Sequence, residues 1–220
     1  MATSRPRAAG RKRHAPPKAT RLARELAGGG AKAKATPLDA FQLARKKWLA
    51  GERIDIGALA KELGVGRATL FRWVGSRELL IGEIIWSFQV PFMEKARAEV
   101  RGRGAKGADY VAGVSERLME GIRSFAPLRR FIENDPEYAL RVLTSKSSTV
   151  QSRNVELVRE NLMDQVERGH LTPPLPIDTL AYVIVRIGEA FVYADVISGR
   201  EPAIDQAAAA ILVLLGGKPR

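Results

Sequence analysis

The chain has 220 residues, of which 45% are apolar, and a formal net charge of +12, so it is long enough for one large domain or for a small domain joined to a larger one. It contains no cysteine, which excludes disulfide scaffolds, Cys-ligated zinc and thiol nucleophiles and fits a reducing cytoplasm. No run of about 18 apolar residues lacks a charge, so we expect no membrane-spanning helix.

Residues 1–36 form a basic tail, which holds ten Lys and Arg residues and a single acidic residue, Glu25. The remaining 184 residues are close to neutral, with 26 basic and 23 acidic side chains. The tail has almost no large apolar residues, so we expect it to stay disordered when free. It is an electrostatic arm for DNA phosphates, a solubilising extension, or the product of a start codon placed too early, and its composition does not decide between these.

From Thr36 onward the apolar periodicity is helical, and no stretch alternates as a strand would, so the fold class is predicted to be all-α. On the first helix, the residues expected to face inward are Leu38, Phe41, either Ala44 or Arg45, and Trp48. Glycine and proline residues divide the rest of the chain. The predicted helices lie at about 37–50, 56–63, 67–74, 76–100 with a kink at its proline, 107–125, 127–133, 136–144, 148–168, 177–198 and 203–215.

The stretch 56–74 has the pattern of two short helices that cross at a steep angle. Ala60 supplies the small side chain that the crossing needs, and Gly64 tolerates the positive φ that the turn needs. An ordinary helical hairpin shares this spacing, but the apolar residues that fill the angle between the helices favour a DNA-binding helix-turn-helix. These residues are Leu59, Leu63, Val65, Leu70 and Val74.

The second helix of this pair is expected to leave one short face exposed. That face is small near its start and cationic, as a helix end that enters the major groove requires. It consists of Arg67, Ala68, Thr69, Arg72 and Trp73. The pattern therefore predicts a DNA-binding transcription regulator.

Residues 64–80 read GVGRATLFRWVGSRELL, which resembles the signature of the TetR family of repressors. That signature is Gly-Val-Ser-x-x-Thr-Leu-Tyr-x-His-Phe, a short turn, and then Ser-Lys-Glu-x-Leu. The resemblance covers residues 37–85, and within the family the chain is most similar to the QsdR branch. It implies a three-helix DNA-binding domain at 37–80 and a helical domain at 81–220 that binds a ligand and dimerises. It also implies a repressor that a small-molecule effector releases from a palindromic operator.

By the same resemblance, Arg67 and Thr69 face bases or nearby phosphates, and Phe71, Trp73 and Arg77 face the sugar-phosphate backbone. The chain departs from the signature at Gly66, which replaces a serine, and at Phe71, which lacks a tyrosine hydroxyl. With fewer hydroxyl contacts to DNA, we expect binding to depend more on Arg72, Arg77 and the basic tail. The predicted DNA-binding residues are Ile56, Gly66, Arg67, Ala68, Thr69, Phe71, Arg72, Trp73 and Arg77.

The last two predicted helices are the candidate homodimer interface. The helix at 177–198 is apolar around most of its circumference, and the helix at 203–215 adds small residues that permit close approach. Pairing both across a two-fold axis would form a four-helix interface and place two recognition helices about 34–36 Å apart, as a palindrome requires. The alternative is that both are core helices of a monomer.

Tyr182, Arg186, Glu189 and Tyr193 form one polar stripe on the helix at 177–198. They line a ligand cavity or form a solvated edge that carries an Arg–Glu pair, and the pattern slightly favours the solvated edge. Helix order adds aromatic and methionine side chains as cavity walls, which suits a largely apolar effector. The candidate ligand-binding residues are Trp86, Phe92, Met119, Phe125, Met163, Arg186, Glu189 and Tyr193.

Catalysis is not expected, because the sequence offers no nucleophile with a base, no phosphate loop and no metal cluster, and the two histidines, His14 and His170, lie far apart. No cofactor or metal is expected either. The alternative function is a non-specific or architectural DNA-binding protein without ligand control. The 120 residues after Val100 argue against it, because their 16 basic and 15 acidic side chains do not form a DNA-coating surface.

Overall fold

A computed structural model describes residues 35–218, and every regular element in this range is an α-helix, which confirms the predicted fold class. The predicted basic tail lies outside the described residues except for its last two positions. The helices are α1 (Pro37–Leu49), α2 (Ile56–Glu62), α3 (Arg67–Val74), α4 (Arg77–Gly102), α5 (Gly107–Ser124), α6 (Ala126–Asn134), α7 (Pro136–Thr144), α8 (Val150–Glu167), α9 (Ile177–Val192), α10 (Ala194–Ser198) and α11 (Ile204–Leu214).

A capping box starts α1. The Thr36 hydroxyl accepts a hydrogen bond from the Asp39 backbone N–H at 3.2 Å, and the Asp39 carboxylate accepts one from the Thr36 backbone N–H at 2.8 Å. The Thr36 hydroxyl also donates a hydrogen bond to the Asp39 carboxylate at 2.7 Å, and this bond, together with the one from the Thr36 backbone N–H, lowers the pKa of Asp39. The buried stripe of α1 consists of Ala40, Ala44 and Trp48. Leu38 is 61% exposed, so the prediction that it faces inward is wrong, because it lies in the first turn outside this i, i+4, i+8 stripe.

Two short helices and a glycine turn form the helix-turn-helix. The Asp55 carboxylate caps α2 by accepting a hydrogen bond from the Ala58 backbone N–H at 2.7 Å. Gly64 has a φ of +65°, a conformation that L side chains rarely adopt, which confirms its predicted role in the turn. The apolar residues predicted to fill the angle between α2 and α3 do so, with Leu59 and Leu70 buried and Leu63, Val65 and Val74 packed against the core.

The long helix α4 links this unit to the C-terminal bundle. Ser76 caps it, as its side-chain oxygen accepts a hydrogen bond from the Leu79 backbone N–H at 3.1 Å. The helix continues through Pro91, where a kink was predicted, to Gly102. One side of its first half is buried against the helix-turn-helix and the bundle, through Leu80, Ile81, Ile84 and Ile85.

In the C-terminal bundle, α11 packs mainly on α5, and α9 packs mainly on α8. The predicted helix at 177–198 is broken at Tyr193, whose φ of −104° and ψ of 19° separate α9 from α10. The Gln165 side-chain oxygen accepts a hydrogen bond from the Gly107 backbone N–H at 2.7 Å, which fixes the start of α5 to the end of α8. Among the helices of residues 35–218, none combines the length and the apolar composition that crossing a membrane would need.

Candidate nucleic-acid interface and ligand cavities

The outer face of α3 carries the side chains that were predicted to contact DNA. Arg67, Ala68 and Arg72 are exposed, Phe71 is 38% exposed, and Thr69 is half-buried. The Arg72 guanidinium donates a hydrogen bond to the Thr69 hydroxyl at 3.2 Å, and the Arg67 guanidinium carbon lies 5.6 Å from the Phe71 ring centroid. The two arginines are therefore held on the helix by their neighbours while their outer N–H groups stay accessible.

The start of α3 also suits an anionic partner. Gly66 is the N-cap residue, and no side chain caps the helix there. The backbone N–H groups of Arg67 and Ala68, in the first turn, have no acceptor among the described residues, because the i→i−3 and i→i−4 bonds to Gly66 start at Thr69 and Leu70. Such N–H groups and the positive end of the helix dipole bind phosphate oxygens.

Three of the predicted DNA-binding residues are placed differently from the rest. Ile56 is only 6% exposed, which corrects the prediction for its side chain: this first residue of α2 packs into the core. Trp73 is half-buried and packs against the same core. The Arg77 guanidinium carbon lies 4.2 Å from the Tyr138 ring centroid, with its Nε atom buried, so Arg77 lies at the junction with α7 rather than on the face of α3.

A cavity of about 300 Å³, here called the apolar cavity, opens between α1, α4, α5 and α6. The predicted ligand-binding residues Phe92 and Phe125 line it. Phe92 sits so close to Gly121 that a Cβ atom there would collide with its ring, which explains the glycine. Trp48 also lines this cavity, which its sequence position does not reveal, because an aromatic residue on an inner helical stripe has the pattern of ordinary core.

A smaller cavity of about 70 Å³, here called the inner cavity, shares Gln89 and Ile122 with the apolar cavity. Gln89 is hydrogen-bonded to Asn154 across α4 and α8. The predicted residues that line the inner cavity are Met119, Glu189 and Tyr193. The sequence gives no sign that Gln89 and Asn154 line a cavity, because isolated amides on helices are usually solvated.

The polar stripe of α9 divides into two halves. Tyr182 and Arg186 are exposed, as a solvated edge predicts, whereas the Glu189 side chain is 11% exposed and Tyr193 is buried, which corrects that prediction for this half. Arg186 donates a hydrogen bond to one Glu189 oxygen at 2.5 Å, and the other oxygen, Oε1, is buried with no hydrogen-bond partner within residues 35–218. Burial raises the pKa of Glu189 although Arg186 opposes this effect, and burial also raises the pKa of Tyr193.

The two remaining candidates line neither cavity. Trp86 lies under Arg153, whose guanidinium carbon is 5.3 Å from the indole ring, and Met163 lies on α8 away from both sets of lining residues. No group of three or more His, Cys, Asp or Glu side chains that could hold a metal ion occurs within residues 35–218.

Comparisons with known proteins show which family has this architecture. A family model described as the tetracyclin repressor-like C-terminal domain matches residues 106–216. The solved structure of the R. erythropolis transcriptional repressor QsdR, from the TetR family, is 30% identical, with a TM-score of 0.76 over 84% of this chain and 96% of that chain. The TetR family regulator PfmR from Thermus thermophilus is 19% identical over 82% of this chain and 99% of that chain, with a TM-score of 0.40. The comparison with curated proteins found no match.

The family model spans half of the chain, and the similarity to QsdR extends over most of both chains. Both agree with the resemblance carried by residues 64–80, which lie outside the region that the family model matches. The chain belongs to the TetR family of transcriptional regulators.

Proposed function

We propose that this regulator is a repressor that binds a palindromic operator as a homodimer and is released from it by a small-molecule effector. The observation that carries the proposal is the position of Trp48, a residue of α1 in the DNA-binding region that also forms a wall of the apolar cavity. A molecule in that cavity touches the DNA-binding region directly. The similarity to QsdR, a transcriptional repressor, supports the same role.

The predicted DNA contacts remain part of the proposal. Arg67, Thr69 and Arg72 meet the operator in the major groove, with Arg72 as the side chain best placed to contact a base, because it is exposed and oriented by Thr69. Phe71 and the first-turn N–H groups of α3 meet the sugar-phosphate backbone. Ile56 and Arg77 support this unit from inside rather than by contacting DNA.

The homodimer interface is proposed on the last helices. Tyr182 on α9, Ile197 on α10 and Val213 on α11 are large apolar side chains that remain exposed in the single chain. Apolar side chains exposed on neighbouring elements mark a surface that a partner covers. A second copy pairing α9 and α11 across a two-fold axis would cover these residues and place two copies of α3 on one side of the DNA.

The effector is proposed to be mainly apolar with a hydrogen-bond donor at one end. The walls of the apolar cavity are mostly aromatic and aliphatic, and its volume of about 300 Å³ suits a small organic molecule. Beyond the shared Gln89 lies the inner cavity, where the unpartnered Oε1 atom of Glu189 accepts a donor. The apolar body would occupy the first cavity and the donor would reach the second.

The domain boundary near residue 80 is also a proposal. The helix α4 begins at Arg77, before this boundary, and continues into the bundle, so it belongs to both parts. An effector between α4 and the bundle would change the direction of α4 and with it the spacing of the two recognition helices. Operator affinity would then fall.

Selection of bound DNA from a random pool tests the DNA-binding part of the proposal. We expect enrichment of one palindrome whose half-sites are about one helical turn apart. Titration at fixed salt should then give an affinity at least about 10³-fold above that for unrelated DNA. Equal affinity for every sequence, with a steep salt dependence, would instead support the non-specific DNA-binding alternative.

A further inference from the structure

A second concave site lies on the other side of Trp48 from the apolar cavity. This junction cleft, of about 130 Å³, separates the helix-turn-helix region from α6 and α7. Trp48 and Arg77 line it from the helix-turn-helix and the start of α4, and Phe131 and Tyr138 line it from the bundle. Neither the proposed operator contacts nor the proposed effector cavities use it.

Residues that line the cleft carry three buried polar atoms with no hydrogen-bond partner among residues 35–218. Trp48 is 3% exposed, and its Nε1 atom is one of them. The Nε atom of Arg77 and the Tyr138 hydroxyl are the others. Indole and guanidinium N–H groups only donate, so the group that satisfies both must be an acceptor. Buried donors of this kind are nearly always paired in native proteins.

Two arginines, Arg53 and Arg77, and two carboxylates line the cleft, so its formal charge is balanced and the placement of Arg77 is what favours an anion. Of the carboxylates, Glu52 forms an ion pair with Lys47 at 3.3 Å, and Asp135 accepts a hydrogen bond from the Tyr138 backbone N–H at 3.3 Å. Neither carboxylate forms an ion pair with Arg77, whose guanidinium lies over the Tyr138 ring.

The volume and the lining residues of the cleft limit the size and polarity of the molecule that carries such an anionic group. A cavity of about 150 Å³ holds one benzene molecule, so the cleft accommodates a body of similar size. The rings of Trp48, Phe131 and Tyr138 offer aromatic faces to it. A planar carboxylate on a small apolar or aromatic body therefore matches the donors, the charge and the volume together.

We propose that the junction cleft binds a small monocarboxylate of about benzene size, with Trp48 Nε1 and Arg77 Nε donating to its carboxylate oxygens. A bound carboxylate links the DNA-binding region to α6 and α7 and resists their separation. It is a second regulatory site, distinct from the effector cavities, and it does not depend on the proposed release from the operator.

Calorimetric titration of the full chain with sodium benzoate tests this assignment, with benzamide as the neutral probe of the same shape. We expect saturable benzoate binding and binding of benzamide at least about tenfold weaker, because only the carboxylate is anionic. The wild-type comparison needs no variant and so does not depend on the folding of a mutant. Absence of saturable benzoate binding, which is the result for a cleft that holds only water, would overturn the proposal.

Two arginine variants locate the binding. Arg77 and Arg141 both lie over the Tyr138 ring, at 4.2 and 5.0 Å, but only Arg77 lines the cleft. We expect Arg77→Met to weaken benzoate binding at least about tenfold and Arg141→Met to change it less than about twofold. Equal losses in the two variants, or no loss in Arg77→Met, would show that benzoate binds elsewhere and would refute the assignment. Failure here leaves the operator and effector experiments unaffected.

Discussion

The indole ring of Trp48 stacks on the phenyl ring of Phe88, with centroids 6.1 Å apart and planes inclined by 24°. Trp48 belongs to α1 and Phe88 to α4. Phe125 and Phe131 extend the cluster into the bundle, with centroids 6.2 and 6.0 Å from that of Trp48. The DNA-binding region and the bundle therefore share one aromatic cluster, beside which both the apolar cavity and the junction cleft open.

Replacing Phe88 by alanine should lower the free energy of unfolding by about 3 kcal/mol, at the low end for a buried phenylalanine because Phe88 is only partly buried. Chemical denaturation monitored by circular dichroism measures this change. Phe71→Ala is the matched control: its ring is exposed on α3, so we expect a change within about 0.5 kcal/mol but weaker operator binding. Similar destabilisation by both variants would contradict the proposed division between core and interface.

The sequence predicted most helix boundaries because local chemistry sets them. Thr36 and Ser76 cap their helices, and Gly64 makes the turn, as their positions indicated. The break at Tyr193 was not predictable, because neither glycine nor proline marks it. Arg77 was expected to face the sugar-phosphate backbone, but Tyr138, far along the chain, packs over it. Such long-range contacts leave no local pattern.

Replacing Arg72 by alanine should weaken operator binding by about 1–3 kcal/mol if this side chain contacts a base as proposed, because it is exposed on α3 and held in place by Thr69. Fluorescence anisotropy with the selected palindrome measures the affinity. Arg123→Ala removes the same charge from an exposed position on α5 and should change binding by less than about 0.5 kcal/mol. An unchanged affinity for Arg72→Ala would remove Arg72 from the contact set.

Replacing Gly66 by serine should stabilise the protein by about 0.5 kcal/mol. Gly66 is the N-cap of α3 at a φ of −69°, which serine adopts freely, and a hydroxyl there can accept a hydrogen bond from the first turn. The same change at Gly64 should destabilise by about 1 kcal/mol, because a side chain is strained at its φ of +65°. Urea denaturation of both variants checks the opposite signs, and a loss of stability in Gly66→Ser would refute the capping argument.

Replacing Glu189 by glutamine should raise stability near pH 7. Burial raises the pKa of Glu189 in the folded protein, so the folded state binds the proton more tightly than the unfolded state does. That contribution is complete at low pH and is lost as the pH rises through the folded-state pKa. Arg186 keeps the Tyr182 hydroxyl and the Thr144 carbonyl as partners in the variant.

The measurement is the free energy of unfolding of wild type and Glu189→Gln from about pH 4 to 8. We expect the difference between them to be largest at neutral pH and to shrink as the pH falls toward the pKa of an unfolded glutamate, about 4.3, below which Glu189 is mostly protonated in both states. Glu201→Gln, at an exposed position, should track the wild type. A difference that does not depend on pH would mean that ionisation of Glu189 is not its cause.

Replacing Val213 by aspartate should convert the proposed dimer to a monomer, because the charge would be buried in the interface between copies of α11. Sedimentation velocity gives the oligomeric state, and operator affinity should fall as the dimer is lost. Val90→Asp introduces the same charge at an exposed valine of α4 and should leave the dimer intact. A dimeric Val213→Asp protein would place the interface elsewhere.

Pro91 lies in the middle of the long helix α4, which runs without a break from Arg77 to Gly102. It has no backbone N–H, so the ladder lacks the hydrogen bond that would end on the Ser87 carbonyl. On the C-terminal side of Pro91, α4 is held to α8 by a hydrogen bond that Arg97 donates to the Asn161 side chain at 2.8 Å. Phe88 and Phe92, on either side of Pro91, both line the apolar cavity. A molecule in the apolar cavity would therefore contact α4 on both sides of its missing hydrogen bond, where the helix bends at the lowest cost.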